Sequence, residues 1–188
     1  MKKHFAVVFA AAALALSTHA QADGFRPVIG ATLTGGGKTL VSVKYTDGST
    51  QKIRSGGFVQ LFGGAEYETE QFALQGNIGY HVDDTTAKDG SVKFSRWPVE
   101  LIGLWKIDST IRAGVGLRKA TGAKVTSSGA ASSLGSQKFE SKAGLILQGE
   151  YLFTPQIGAL LRVVNESYEV AGVKVQGNHV GLGVNYRF

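Results

Sequence analysis

The chain has 188 residues, a length that suits one domain, with a formal net charge of +6 and no cysteine. A disulfide framework and a cysteine-ligated metal site are therefore excluded. Charged residues make up only 18%, below the roughly 25% usual for soluble domains, yet the mean hydropathy of +0.02 excludes a bundle of membrane-spanning helices.

The first element is an export signal. Lys2, Lys3 and His4 form a basic start, Phe5 to Leu16 is unbroken apolar sequence, and Ala20-Gln21-Ala22 supplies a small-x-small cleavage pattern. The apolar run is too short to span a bilayer as a helix. Cleavage is expected after Ala22, leaving residues 23–188 as the mature domain. Loss of Lys2 and Lys3 lowers the charge by two and leaves a cationic chain suited to anionic headgroups. The positive charges are scattered, and an exported chain is not expected to meet nucleic acid.

Eight alternating segments follow: 27–45, 50–67, 71–82, 92–106, 110–121, 137–153, 157–170 and 174–188. Each meets the roughly 9–11 residues that a membrane-spanning strand needs. The short connections at 68–70, 107–109 and 154–156 belong to the periplasmic end. Those at 83–91, 122–136 and 171–173 fall at the opposite end. Strand three turns Phe72, Leu74, Ile78 and Tyr80 one way and Gln75, Asn77 and His81 the other. Strand four sets Trp97, Val99, Leu101 and Trp105 against Arg96 and Glu100, and strand five sets Ile111, Ala113, Val115 and Leu117 against Arg112 and Arg118. Strand six sets Phe139, Ala143, Leu145, Leu147, Tyr151 and Phe153 against Glu140, Lys142, Gln148 and Glu150. Strand seven sets Ile157, Ala159, Leu161 and Val163 against Arg162, Glu166 and Tyr168.

The closing segment alternates Val180, Leu182, Val184, Tyr186 and Phe188 with small or polar residues. One lipid face and one lumen face produce this period of two. Aromatic residues sort into two belts, with Tyr67, Phe72, Trp105, Tyr151, Phe153, Tyr186 and Phe188 at one end and Tyr80, Trp97 and Phe139 at the other. Pro98 cannot donate to a ladder, so a bulge is expected there. A two-residue turn at Asp47-Gly48 would set odd residues against even ones. A slip near Gly35-Gly36-Gly37 or Gly56-Gly57, or a longer turn, must absorb the mismatch.

These residues resemble the small eight-stranded outer-membrane barrels, the OmpX family and the transmembrane domain of OmpA. The resemblance covers Asp23 to Phe188 by pattern and is specific at the closing strand. It implies an all-β, up-and-down, eight-stranded antiparallel transmembrane barrel in the cell outer membrane, with Tyr186 and Phe188 as the signal read by the barrel-assembly machinery. Members of the family include adhesion proteins, anchors, lipid A enzymes and hydrophobic-molecule channels, so membership does not select an activity.

An eight-stranded barrel is just wide enough to be filled by side chains. Arg96, Arg112, Lys142, Arg162 and Arg187 face Glu66, Glu100, Glu140, Glu150 and Glu166 across that lumen, with His179 beside them. Such charges must pair, so a salt-bridged plug is expected, with a narrow conduit as the alternative. Glu166 and His179 are expected to face each other across the turn near Gly172. For a lipid A hydrolase, His81 and Ser95 lie on neighbouring strands, but Ser95 has outward parity. No cofactor motif or metal-ligand spacing is present. The expected function is a non-enzymatic barrel contacting outer-membrane lipids, lipopolysaccharide or an extracellular protein partner. The contact is expected on a first hairpin standing clear of the membrane, through Lys38, Lys44, Tyr45, Lys52 and Arg54. A channel or hydrophobic-molecule transporter is the first alternative, and the hydrolase is the second.

Overall fold

Alternation drives every long strand: one row of side chains is greasy, the next polar or small, and a closed sheet lets both rows find a suitable medium. The computed structural model describes residues 24–44, 50–87, 90–129, 131–132 and 135–188. The expected export signal and cleavage site, Tyr45, the expected Asp47-Gly48 turn and Asp89 lie outside the described residues. So does the side chain of Lys44.

Eight strands form the barrel: β1 (Phe25–Gly36), β4 (Phe58–Glu68), β5 (Phe72–Ala87), β6 (Gly90–Lys106), β7 (Ile111–Gly129), β10 (Gly144–Leu152), β11 (Ile157–Asn165) and β14 (His179–Arg187). Their antiparallel order is β10-β11-β14-β1-β4-β5-β6-β7, and β7 pairs back onto β10 to close the ring. Outside the ring lie β2 (Thr39–Lys44) paired with β3 (Thr50–Arg54), and a small sheet of β9 (Glu140–Ser141), β12 (Ser167–Val170) and β13 (Val173–Gln176). A short β8 (Gln137–Lys138) pairs with β7.

The outward row carries the large apolar side chains. Leu33, Leu61, Leu117, Leu147 and Leu182 are all more than half exposed. A face of that kind is tolerable only in lipid. Phe25, Tyr67, Phe72, Trp105, Tyr151, Phe153, Tyr186 and Phe188 stay exposed at the short-turn end. Trp97 is exposed towards the other, packed against Tyr80 at 4.9 Å.

The three short turns share one device. Thr69 Oγ1 accepts from Phe72 N at 3.1 Å, Asp108 Oδ1 from Ile111 N at 2.8 Å, and Thr154 Oγ1 from Ile157 N at 3.0 Å. Each oxygen satisfies an amide three residues on, where the next strand begins. Asp108 also accepts from the amide and hydroxyl of Thr110, and these bonds hold its carboxyl below the usual carboxylate value.

The outer end differs from the sequence expectation. Segments 83–91 and 122–136 were expected to be connections, yet β5, β6 and β7 run through much of them as paired strand. These two hairpins are the long projections. Strand one is not continuous to residue 45. It ends at Gly36, where Gly36 and Gly37 have φ of 134° and 76°, and the chain resumes as β2. The hairpin parity is absorbed there and again between Thr39 and Val41, where the β2–β3 register shifts. Odd residues of β1 consequently face odd residues of β4, as in Ile29 opposite Gly63.

Strands six and seven also break, into β8, β9 and β10 and into β11 and β12. The bulge expected in strand four sits instead on its neighbour: Ser95 pairs with Lys124 and Trp97 with Thr121, so the extra residue belongs to β7. Thr121 and Gly122 both face outward, and Gly122 has φ of 60°, which glycine adopts without a steric cost. Pro98 is nearby; the β5–β6 ladder skips Gly79 and Tyr80, opposite Pro98 and Trp97.

Candidate functional site

The inward row of the barrel builds a column of charge. Nearest the short turns, Glu68 pairs with Arg26 at 3.1 Å and Lys106 at 2.5 Å at the partly open mouth. Above them the groups are fully buried. Arg112 donates both terminal nitrogens to Glu66, at 2.9 and 3.1 Å, and reaches Glu150 at 2.6 Å. Arg187 bridges the same two carboxylates, with Nε 3.2 Å from Glu66 and Nη2 against Glu150. Gln148 and Asn185 donate to the remaining oxygen of Glu150, at 2.7 and 3.0 Å.

In the middle, Glu100 accepts from Gln60, Asn77, Arg118 and Arg162 at 2.9, 3.3, 2.7 and 3.0 Å. Arg162 also lies 4.7 Å above the Phe62 ring. Arg118 continues upward, donating Nε to Glu166 at 2.9 Å and Nη2 to His81 Nδ1 at 3.0 Å. Glu166 further accepts from the Tyr168 hydroxyl at 2.7 Å.

Arg112, Glu150, Arg162, Glu166, Arg187, Arg96, Glu100 and His179, all expected inside, are each inward and buried. Glu166 and His179 lie 3.6 Å apart. The ladder partner of His179 is Val164, and the His179 Nδ1 proton goes to the Gly177 carbonyl at 2.8 Å. Glu140 and Lys142 correct the expectation: both are exposed, and Lys142 pairs with Glu169 at 3.0 Å on the surface. The cause is the break of strand six. Residues 137–138 stay on β7 as β8, but 140–141 turn away to pair with β12 as β9, so inward parity no longer means lumen. Arg118 escaped the charged set drawn from the sequence, although its inward parity was legible, and it joins the two halves of the column.

Arg96 stands apart. Among the described residues no carboxylate lies within ion-pair distance of it. Two of its nitrogens reach the Gly57 carbonyl at 3.3 Å, and its guanidinium lies 4.7 Å over the Phe94 ring. His81, Glu166 and His179 bring their ligand atoms within 4.8 Å of one another. Arg118 already donates to His81 and Glu166, and Arg96 abuts His81 Nε2 at 3.0 Å. Two guanidinium groups in contact with the donor set repel a metal cation, so these residues do not fit one.

Above the charged column the interior turns apolar. Ile53, Val92, Phe94, Ala120, Ala123, Val125 and Tyr168 are buried together, with Leu40, Val41, Phe139 and Val175 packed against them. Phe94 meets Phe139 and Tyr168 edge-on, each at 5.5 Å. Phe139 therefore belongs to this cluster and not to the lipid belt. The first hairpin is also corrected: it does not stand free. Ile53 of β3 is fully buried, Arg54 N donates to Asp83 at 2.7 Å, and Gln51 bonds Thr85. Ser55 Oγ and Lys38 N both donate to the Gln176 carbonyl, at 2.7 and 3.0 Å. The β2–β3 hairpin is a lid stitched to β5 and β13. Lys38, Lys52 and Arg54 remain exposed on it.

No curated protein matches the chain in sequence. Among solved structures it is similar to the attachment invasion locus protein Ail of Yersinia pestis, with 17% identity and a TM-score of 0.45, covering 88% of this chain and 99% of that one. It is also similar to Neisserial surface protein A, with 15% identity and a TM-score of 0.48, covering 88% of this chain and 98% of that one. The family described as "Outer membrane protein beta-barrel domain" matches residues 8–188. With a closed eight-stranded ring, an apolar outer surface and that match over nearly its whole length, the chain belongs to the outer-membrane β-barrel domain family and resides in the outer membrane.

Proposed function

We propose that the protein is a non-enzymatic barrel that works through its outer end, as a contact surface for lipopolysaccharide or an extracellular partner. The observation that carries this reading is the buried arginine–glutamate column from Glu66 to Glu166, covered by the apolar cluster around Phe94. Each carboxylate in the column meets at least one arginine and further donors. Ions or substrates entering the lumen would have to break charge-assisted bonds in a medium of low dielectric, where each orphaned charge costs several kcal/mol. The lid leaves Lys38, Lys52 and Arg54 outside, where they offer charge-assisted bonds to phosphate or carboxylate. The barrel is inserted by the assembly machinery, for which Tyr186 and Phe188 present an aromatic end. Planar-bilayer recording tests the reading: reconstituted protein is expected to give no discrete conductance steps, and incubation with lipid A to release no fatty acid. Regular unitary steps would establish a channel in its place, and fatty-acid release a hydrolase.

A further inference from the structure

The outward rows of β6 and β7 change character beyond the membrane boundary. Trp97, 48% exposed and packed against Tyr80, marks that boundary, because amphipathic rings settle at the headgroup level. The bulge at Thr121–Gly122 then turns even-numbered β7 residues outward, and these are Lys124, Thr126 and Ser128. Lys124 pairs directly with Lys138 of β8, and Lys93 lies one outward step further, opposite Thr126. Like charges facing each other across a ladder destabilise it. Among the described residues, none of Lys93, Lys119, Lys124 and Lys138 has a carboxylate within ion-pair distance.

Depth and order along the strands indicate what would neutralise these lysines. Lys124 stands opposite Ser95, two residues past Trp97, which is about 7 Å along a strand rising about 3.4 Å per residue. Lys119, opposite Val99 on the near side of Trp97, is exposed there and long enough to extend its ammonium towards the level of Trp97. An ammonium group at this depth meets the phosphates of lipids whose acyl chains cover the apolar band. Further out lies a polar groove lined by Asp84, Ser91, Lys93, Thr126, Ser127 and Ser128. The Ser91 and Ser128 hydroxyls bond each other at 2.8 Å across it. Small hydroxyls beside one carboxylate and one ammonium suit a sugar, which both donates and accepts.

From the membrane outward the face thus reads aromatic, ammonium, hydroxyl. We propose that the outer face of β6–β7–β8 is a binding site for a phosphorylated glycolipid of the outer leaflet, with its phosphate on Lys124 and Lys138 and its sugar in the Ser91–Thr126–Ser128 groove. This rests on the lipopolysaccharide part of the function above and adds to the lid a second contact on the barrel wall.

The test uses the whole barrel in nanodiscs and measures retained lipopolysaccharide. Changing Lys124→Gln together with Lys138→Gln is expected to weaken retention at least tenfold. Changing Lys174→Gln, an exposed lysine of β13 outside this face, is expected to leave it unchanged. Enzymatic removal of the lipid's phosphates should reproduce the tenfold loss on the unaltered protein, a readout that needs no variant to insert. Equal retention of native and dephosphorylated lipid overturns the proposal, as does equal binding of phosphatidylglycerol, which carries phosphate without the sugar. Loss on changing Lys52→Gln with Arg54→Gln of the lid, with none on changing Lys124→Gln with Lys138→Gln, also overturns it and leaves the broader function standing with the contact on the lid.

Discussion

Arg118 bonds Gln60, Glu100, His81 and Glu166 from one guanidinium buried at the centre of the barrel. Removing it leaves two buried carboxylates short of a partner. Arg118→Ala is expected to cost about 3–5 kcal/mol, the usual penalty for orphaning a buried ion pair, read as a lowered urea midpoint for unfolding from lipid. Lys142→Ala removes an exposed pair with Glu169, which should leave the urea midpoint essentially unchanged because solvent screens such a pair. Equal losses for the two variants would refute the separation of lumen from surface. Asp108 gives a pH prediction. Hydrogen bonds from Thr110 and Ile111 lower its pKa from the ordinary value of 3.8. A lowered folded pKa means stabilisation present above 3.8 and lost as pH falls through the folded value. The Thr110 and Ile111 amide shifts should therefore titrate with a midpoint below 3.8. A midpoint at or above it would show that the turn does not favour the carboxylate.

At the scale of elements, the lid stands on Ile53. Its side chain enters the apolar cluster over the column, while its neighbours Lys52 and Arg54 face outward. Ile53→Ala should lose about 2–5 kcal/mol locally, and added protease should cut residues 39–54 faster while the heat-modifiable barrel persists. Unchanged proteolysis would mean that the hydrogen bonds of the lid to Asp83, Thr85 and Gln176 hold it without Ile53. The three short turns were placed correctly by their position between alternating runs. Their shared oxygen at Thr69, Asp108 and Thr154 was equally legible, since each stands three residues before the next strand's first apolar residue. The outer extensions were not. Asp, Thr, Ser and Gly at 83–91 and 122–136 read as loop chemistry, because propensity scores single residues while a ladder rewards pairs. Val92 and Phe94 from β6 and Val125 from β7 are buried in one cluster with Ile53 of the lid, Phe139 and Tyr168, residues distant in sequence.

For the whole molecule, the last strand closes the ring between β1 and β11, and Phe188 N still donates to the Pro27 carbonyl at 3.1 Å beyond it. Deleting Phe188 removes that bond and one ring of the turn-end belt. The deletion is expected to lower the membrane-inserted, heat-modifiable fraction in cells; equal insertion would show that the terminal aromatic is not read during assembly. By itself the sequence determined the strand alternation, the closed antiparallel ring and which rows face lipid. A side-chain period of two is a local property, and in a membrane only closure satisfies every backbone group. It also placed Arg96, Glu100, Arg112, Glu150, Arg162, Glu166, His179 and Arg187 inside by parity alone. Only the tertiary structure decided where parity ceases to mean lumen, as at Glu140 and Lys142, which strand would carry the bulge beside Pro98, and that the first hairpin folds over as a lid. Those outcomes depend on contacts between residues far apart in the chain, such as Ser55 with Gln176 and Ile53 with Phe94 and Tyr168, and no local period encodes such contacts.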